Sequence, residues 1–67
     1  MSNTIPFNQL ILVGVPEAEA KEIIRLSGYT SRITSRDGAH FIVTRDYRKN
    51  RINLEIKDGV VESAHVG

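Results

Sequence analysis

The residues most able to do chemistry form one polar stretch, with the order Val-Thr-Arg-Asp-Tyr-Arg over residues 43–48. Arg51 follows closely and opens an alternating, strand-like pattern. A guanidinium carries a rigid fork of donors that can hold a carboxylate together with a hydroxyl or a carbonyl oxygen. If the stretch arches over the strand, Arg51 can hold Asp46 and Thr44 in an extended shape. The pattern indicates an exposed binding segment that is supported from beneath.

Catalytic and metal-binding chemistry has little support in the sequence. His40 and His65 have no cysteine and no helical histidine partner, so they predict surface or capping roles rather than a metal site. No local motif indicates a Ser/His/Asp arrangement, and the five glycines are too dispersed for a phosphate loop. A chain of 67 residues also leaves little room for a deep enclosed pocket. We therefore expect a binding protein, not an enzyme, with no metal and no cofactor.

The basic residues are unevenly distributed, although the net charge is only +1. Residues 25–51 hold seven basic and two acidic residues, a balance of +5 that could steer the chain toward an acidic partner. The cluster at residues 48–51, taken alone, is typical of a solvated basic patch. Nucleic-acid binding is a competing interpretation, with Tyr47 or Phe41 stacking on bases. The interleaved Asp46 and the small net charge make it the weaker one.

Length and composition predict one small domain over residues 1–67, with residues 1–9 as an irregular N-terminal arm. The absence of cysteine excludes disulfides, so stability must come from packing and hydrogen bonds. The longest apolar run, residues 10–13, is far shorter than the ~20 residues that span a bilayer. No basic region precedes it as a secretory signal requires. We expect a cytoplasmic chain with no membrane segment.

A helix is predicted over residues 16–26, where Ala20, Ile23 and Ile24 lie at helical spacing and acidic residues crowd the first turns. Pro16 is expected at the first helical position. Gly28 is expected to supply the left-handed residue that ends the helix.

Three strands are predicted after the helix. Residues 29–35 are rich in β-branched and aromatic side chains, and a turn at residues 36–38 closes this first strand. Residues 51–57 alternate between apolar and polar side chains and form the second strand. An Asp-Gly hairpin turn at residues 58–59 then allows residues 60–65 to return antiparallel.

The alternation of the second strand predicts which side chains support the polar stretch. If Ile52, Leu54 and Ile56 face the helix, Arg51 and Asn53 project from the opposite face. That face is the one over which an arching segment can lie.

The long connection from Arg36 to Asn50 decides how the strands are arranged. About 15 residues without helical periodicity are too many for a tight hairpin, and long loops inside small domains are usually functional. The first two strands are therefore expected side by side and parallel. We predict an α+β fold, with one helix packed on a small mixed sheet, a parallel central strand pair and a long exposed loop.

The order of residues in the polar stretch resembles the reactive site of the potato inhibitor I family. That family has a threonine, a variable specificity residue, an acidic residue, a hydrophobic or aromatic residue and an arginine, matched here by Thr44, Arg45, Asp46, Tyr47 and Arg48. An Arg-x-Arg motif follows on the next strand of the family, where this chain has Arg51-Ile52-Asn53. The resemblance extends to Leu12-Val13-Gly14 before a helix with Glu19-Ala20-Lys21, and to Val66-Gly67. It covers most of the chain.

The resemblance implies a substrate-like inhibitor of serine endopeptidases. The reactive peptide bond would be Arg45–Asp46, with Arg45 in the primary pocket of a trypsin-like or subtilisin-like protease. The protease-binding loop would consist of Val43, Thr44, Arg45, Asp46, Tyr47 and Arg48. Arg51 and Asn53 would brace it from beneath.

Three features depart from the family pattern. Pro16 stands where a polar helix cap is usual, no tryptophan precedes the helix, and Asn53 replaces the second bracing arginine. An asparagine at this position resembles the pattern of a bacterial branch of small inhibitors. Because one cation is lost, it predicts weaker bracing of the loop. An alternative remains open, in which the inhibitor-like scaffold is a binding module for a protein partner that is not a protease.

Overall fold

The computed structural model describes residues 8–67, and it contains one α-helix, one 3-10 helix and a four-stranded sheet in that part of the chain. The elements follow in the order 3-10 helix Gln9–Leu12, α1 Glu17–Leu26, β1 Thr30–Arg36, β2 Ala39–His40, β3 Arg51–Lys57 and β4 Val60–Val66. The predicted α+β class, with one helix packed on a mixed sheet, is confirmed.

The helix α1 begins one residue later than predicted. Pro16 is the N-cap, with an extended ψ of 144°, and Glu17 is the first helical residue. Glu17 and Glu19 place negative charge in the first turn, where it interacts favourably with the positive end of the helix dipole. Ala20 and Ile24 are buried against the sheet, which is the face that their spacing predicts.

A Schellman motif ends α1. Gly28 has the left-handed φ of +83° and donates its N–H to the Arg25 carbonyl at 3.1 Å. Tyr29 donates its N–H to the Ile24 carbonyl, also at 3.1 Å. These two bonds satisfy carbonyls at the helix end and turn the chain directly into β1.

The sheet has the strand order β2-β1-β3-β4, so β1 and β3 form its centre. These two strands are parallel, as predicted, and β3 pairs antiparallel with β4. Asp58 and Gly59 connect β3 to β4, and both have positive φ, of 53° and 78°. A type I′ turn requires this sign at both central positions.

One face of the sheet carries the core. Ile52, Leu54 and Ile56 of β3 are at most 1% exposed. They pack with buried residues from the helices and β4, namely Leu12, Ala20, Ile24, Val61 and Ala64. The opposite face of β3 is thereby left to polar side chains.

The structure adds two elements that the sequence analysis did not predict. The first is the strand β2. Asp37 and Gly38, with φ of 52° and 82°, lie in the turn predicted at residues 36–38, and this turn brings β2 back along β1. The irregular connection to β3 is therefore shorter than predicted, at residues 41–50.

The second unpredicted element is the 3-10 helix. Asn8 begins it by accepting the Leu10 N–H at 3.0 Å, and Leu12 anchors it in the core. The predicted irregular arm, residues 1–9, lies outside the described residues up to position 7, and its last residue, Gln9, already belongs to this helix. Among the described residues, no helix has the length and apolar character needed to cross a membrane.

Candidate functional site

The polar stretch lies in a connection whose two ends are attached to β1. Residues 41–50, here called the loop, are all exposed. At the start of the loop, the Phe41 N–H donates to the Thr34 carbonyl at 2.9 Å. At its end, the Asn50 carbonyl accepts the Thr30 N–H at 2.9 Å. The loop therefore leaves and re-enters the sheet along one strand, so its ends are fixed although it contains no regular secondary structure.

Arg45 is exposed near the middle of the loop. Within residues 8–67 its guanidinium takes part in no hydrogen bond or ion pair. The neighbouring Ile42 and Tyr47 are also highly exposed, at 103% and 72%, and Val43 is exposed. These side chains are available to a partner, whereas the polar groups of Thr44 and Asp46 take part in hydrogen bonds inside the protein.

Asp46 is the centre of a small polar network. Its carboxylate accepts the Thr44 hydroxyl on Oδ1 and Arg48 Nε on Oδ2, the latter at 2.9 Å. Arg51 Nη1 lies 3.6 Å from the same Oδ2. The Thr44 hydroxyl, followed by Arg48 and the positive charge of Arg51, holds the pKa of Asp46 well below its ordinary value. The carboxylate is therefore ionised at neutral pH. Its bond with the Thr44 hydroxyl links Asp46 to Thr44, the residues on the two sides of Arg45.

Arg51 supports the loop from the start of β3. Its Nη2 donates to the Asp46 carbonyl at 2.7 Å and to the Gly67 carbonyl at 2.7 Å, while Nε donates to Gly67 at 3.0 Å. Its side chain is only 11% exposed. The Gly67 carbonyl also accepts the Arg48 N–H at 3.3 Å. A single guanidinium thus connects the loop with the end of β4.

Asn53 reaches the loop through another residue. It is 5% exposed, and its Oδ1 accepts Nε of Arg32 in β1 at 2.9 Å. Arg32 Nη1 in turn donates to the Thr44 carbonyl at 3.3 Å and to the Thr44 hydroxyl at 3.2 Å. A second guanidinium therefore lies beneath the loop, and it comes from β1.

Arg32 was not predicted as a residue of the site, although the sequence contains a signal for it. Strand alternation places Arg32 on the same face of β1 as Thr30 and Thr34. What the pattern lacked was the register, which sets Arg32 opposite Asn53 and Thr30 opposite Arg51. With that register, an arginine on the polar face of β1 stands directly beside Asn53.

His40 is in β2, and His65 is in β4, where it stands opposite Asn53. Over residues 8–67, no group of three histidine or acidic side chains is arranged to hold a metal ion. The chain matches no protein-family model, and no curated protein shows significant similarity to it.

Proposed function

We propose that this protein is a substrate-like inhibitor of serine endopeptidases, with Arg45–Asp46 as the reactive peptide bond. One observation carries the proposal. The residues on both sides of Arg45 are held by guanidinium groups beneath them, while Arg45 itself is free of internal partners among the described residues. A segment held extended in this way loses little conformational entropy when it enters a protease cleft.

The same contacts provide a reason for inhibition instead of turnover. The protease serine would attack the Arg45 carbonyl carbon, forming an ester as the C–N bond to Asp46 breaks. The serine proton would pass through the catalytic histidine to the Asp46 nitrogen, which leaves as an amine. Because Arg51 holds the Asp46 carbonyl at 2.7 Å, that amine would remain beside the ester. It could then attack the ester carbonyl carbon and restore the peptide bond as the ester C–O bond breaks, with the amine proton returning through the histidine to the serine oxygen.

Arg45 favours a trypsin-like target. An acidic group at the base of the primary pocket pairs with an arginine, whereas a hydrophobic pocket leaves the buried charge unpaired at high cost. Subtilisin-like enzymes form a second target class to be tested.

The direct test is titration of trypsin, chymotrypsin and subtilisin with the purified protein, followed by the variants Arg45→Ala and Arg45→Leu. Removing one partner of a buried charge pair weakens a complex by roughly 30-fold or more. Both variants should therefore lose at least that much inhibition of trypsin, and Arg45→Leu should gain inhibition of chymotrypsin. Wild-type protein that inhibits none of the three enzymes at micromolar concentration would overturn the proposal.

A control for loss of charge is available on β3. Lys57 is exposed and lies at the opposite end of that strand from Arg51. Lys57→Ala lowers the net charge by the same amount as Arg45→Ala, and inhibition should remain that of the wild type. A similar loss in both variants would indicate general charge attraction instead of pocket binding.

A further inference from the structure

The register of the parallel strands places two supporting cations on one face of the sheet. Thr30 of β1 stands opposite Arg51 of β3, and two residues further on Arg32 stands opposite Asn53. Residues two apart in a strand project from the same face. Arg32 and Arg51 therefore lie beneath the loop from different strands.

The two cations hold different sides of the reactive bond. Arg32 donates to the carbonyl and the hydroxyl of Thr44, the residue before Arg45. Arg51 donates to the carbonyl of Asp46, the residue after Arg45. Neither guanidinium reaches over the bond to duplicate the contacts of the other, so their contributions should be separable by mutation.

Asn53 fixes the direction of Arg32. It is 5% exposed, and its Oδ1 accepts Arg32 Nε at 2.9 Å. Among the described residues, no buried side-chain nitrogen or oxygen lacks a hydrogen-bond partner. With Nε held in this way, the planar guanidinium has little freedom to rotate, and Nη1 is directed at Thr44.

We infer that Arg32 is a positioning residue for the reactive loop, aimed by Asn53, and that it replaces from β1 the brace that an arginine at position 53 would supply. The inference rests on the proposed inhibitory function and extends it to a residue outside the motif that suggested that function.

After cleavage at Arg45–Asp46, Arg32, Arg51 and Asn53 would have different roles. The chain would separate into residues 1–45, whose described part contains β1, and residues 46–67, which contain β3. The Arg32–Thr44 contacts would lie within the first piece, and the Arg51–Asp46 contacts within the second. The Arg32–Asn53 bond would join the two pieces. Arg32 would thus hold the residues next to the new carboxyl end. Its bond to Asn53 would keep this end beside the second piece, which carries the new amine.

The test compares Arg32→Ala, Asn53→Ala and the double variant, with Lys57→Ala as the charge control. Loss of charged hydrogen bonds should raise the rate of cleavage by trypsin roughly 10- to 100-fold for Arg32→Ala. It should also shift the equilibrium between intact and cleaved inhibitor toward the cleaved form. If Asn53 acts through Arg32, the double variant should match Arg32→Ala within a factor of about two. Additive effects of the two substitutions would overturn the role assigned to Asn53.

A second measurement does not depend on any protease. Backbone order parameters of the free protein should fall at Thr44 in Arg32→Ala, from about 0.85 for rigid backbone toward about 0.6, while the amides of β3 remain rigid. If Arg32→Ala is not folded, Arg32→Lys takes its place, because lysine keeps the charge but lacks the fork that reaches Asn53 and Thr44 together. It should show the same local loss of order.

The two proposals fail in different ways. Wild-type protein that inhibits no protease, with Thr44 losing order in Arg32→Ala, would reject the proposed function and keep Arg32 as a support of the loop. Inhibition by the wild type that is unchanged in Arg32→Ala, together with unchanged order at Thr44, would reject the inference alone.

Discussion

Arg51 and Gly67 are joined by hydrogen bonds in both directions. Arg51 Nε and Nη2 donate to the Gly67 carbonyl at 3.0 Å and 2.7 Å, and the Gly67 N–H donates to the Arg51 carbonyl at 3.0 Å. The backbone bond fixes the end of β4 beside the start of β3, and the side-chain bonds fix the guanidinium. The Arg51 guanidinium beneath Asp46 is therefore held in place by Gly67 before any partner binds.

We predict that Arg51→Ala turns a slowly cleaved inhibitor into a faster substrate. Loss of charged hydrogen bonds to Asp46 and Gly67 should accelerate cleavage by trypsin roughly 10- to 100-fold. The helix and core should remain folded, because Arg51 projects from the face opposite Ile52 and Leu54. The measurement is chromatography of intact and cleaved protein over time, with circular dichroism of each variant. Cleavage at the wild-type rate would refute the bracing role.

The network around Asp46 predicts a specific pH dependence. Its pKa is lowered in the folded protein, chiefly by the Thr44 hydroxyl and then by Arg48. The stabilisation from this carboxylate is therefore fully present above the ordinary aspartate pKa of about 3.9. It is lost only as the pH falls through the lower folded value. We expect Asp46 to remain ionised and the loop to remain ordered at pH 4.

The carboxyl carbon of Asp46, followed by NMR across an acid titration, measures this directly. Thr44→Val should raise the pKa of Asp46 toward its ordinary value, since it removes the largest cause of the shift while nearly preserving side-chain shape. An Asp46 that titrates near its ordinary value in the wild type would contradict the network.

Leu54 should dominate stability without belonging to the site. It is fully buried in the middle of β3, so Leu54→Ala should lower the free energy of unfolding by about 2–5 kcal/mol. Tyr47→Ala is the contrasting variant, because Tyr47 is 72% exposed and should change stability by less than about 0.5 kcal/mol. Urea denaturation of the two variants measures both values. Equal losses would mean that the loop contributes to the core.

The turn between β3 and β4 predicts a stereochemical effect. Gly59 has a φ of +78° with open space around its α-carbon, so Gly59→Ala should destabilise the fold by about 1–2 kcal/mol through backbone strain alone. A chemically synthesised chain with D-alanine at this position provides the matched control, because D-residues favour positive φ. Its thermal midpoint should equal or exceed that of the wild type. A midpoint as low as that of Gly59→Ala would exclude strain as the cause.

Much of the fold could be predicted from the sequence because the local signals agreed with one another. Ala20 and Ile24 at helical spacing, the left-handed Gly28 and the alternation around Leu54 all correspond to observed features. The parallel pairing of β1 with β3 followed from the length of the connection between them.

The strand β2 was not predicted because it is very short, and the role of Arg32 was not predicted because it depends on the register of β1 against β3. Asp37-Gly38 carries the same turn signal as Asp58-Gly59, but only two residues follow it in β2, too few to show alternation. Arg32 could be assigned to a face of its strand, but its neighbour across the sheet is set by the pairing of β1 with β3. A single sequence contains no direct measure of that pairing.

The alternation of β3 separates the residues that form the core from the residues that support the loop. Its even-numbered residues, Ile52, Leu54 and Ile56, lie in the core, while Arg51 and Asn53 support the loop. Residue 45 contributes to neither set. Residue 45 can therefore be exchanged without changing the core or the supports, and under the proposed function such an exchange would change the target protease on the same scaffold.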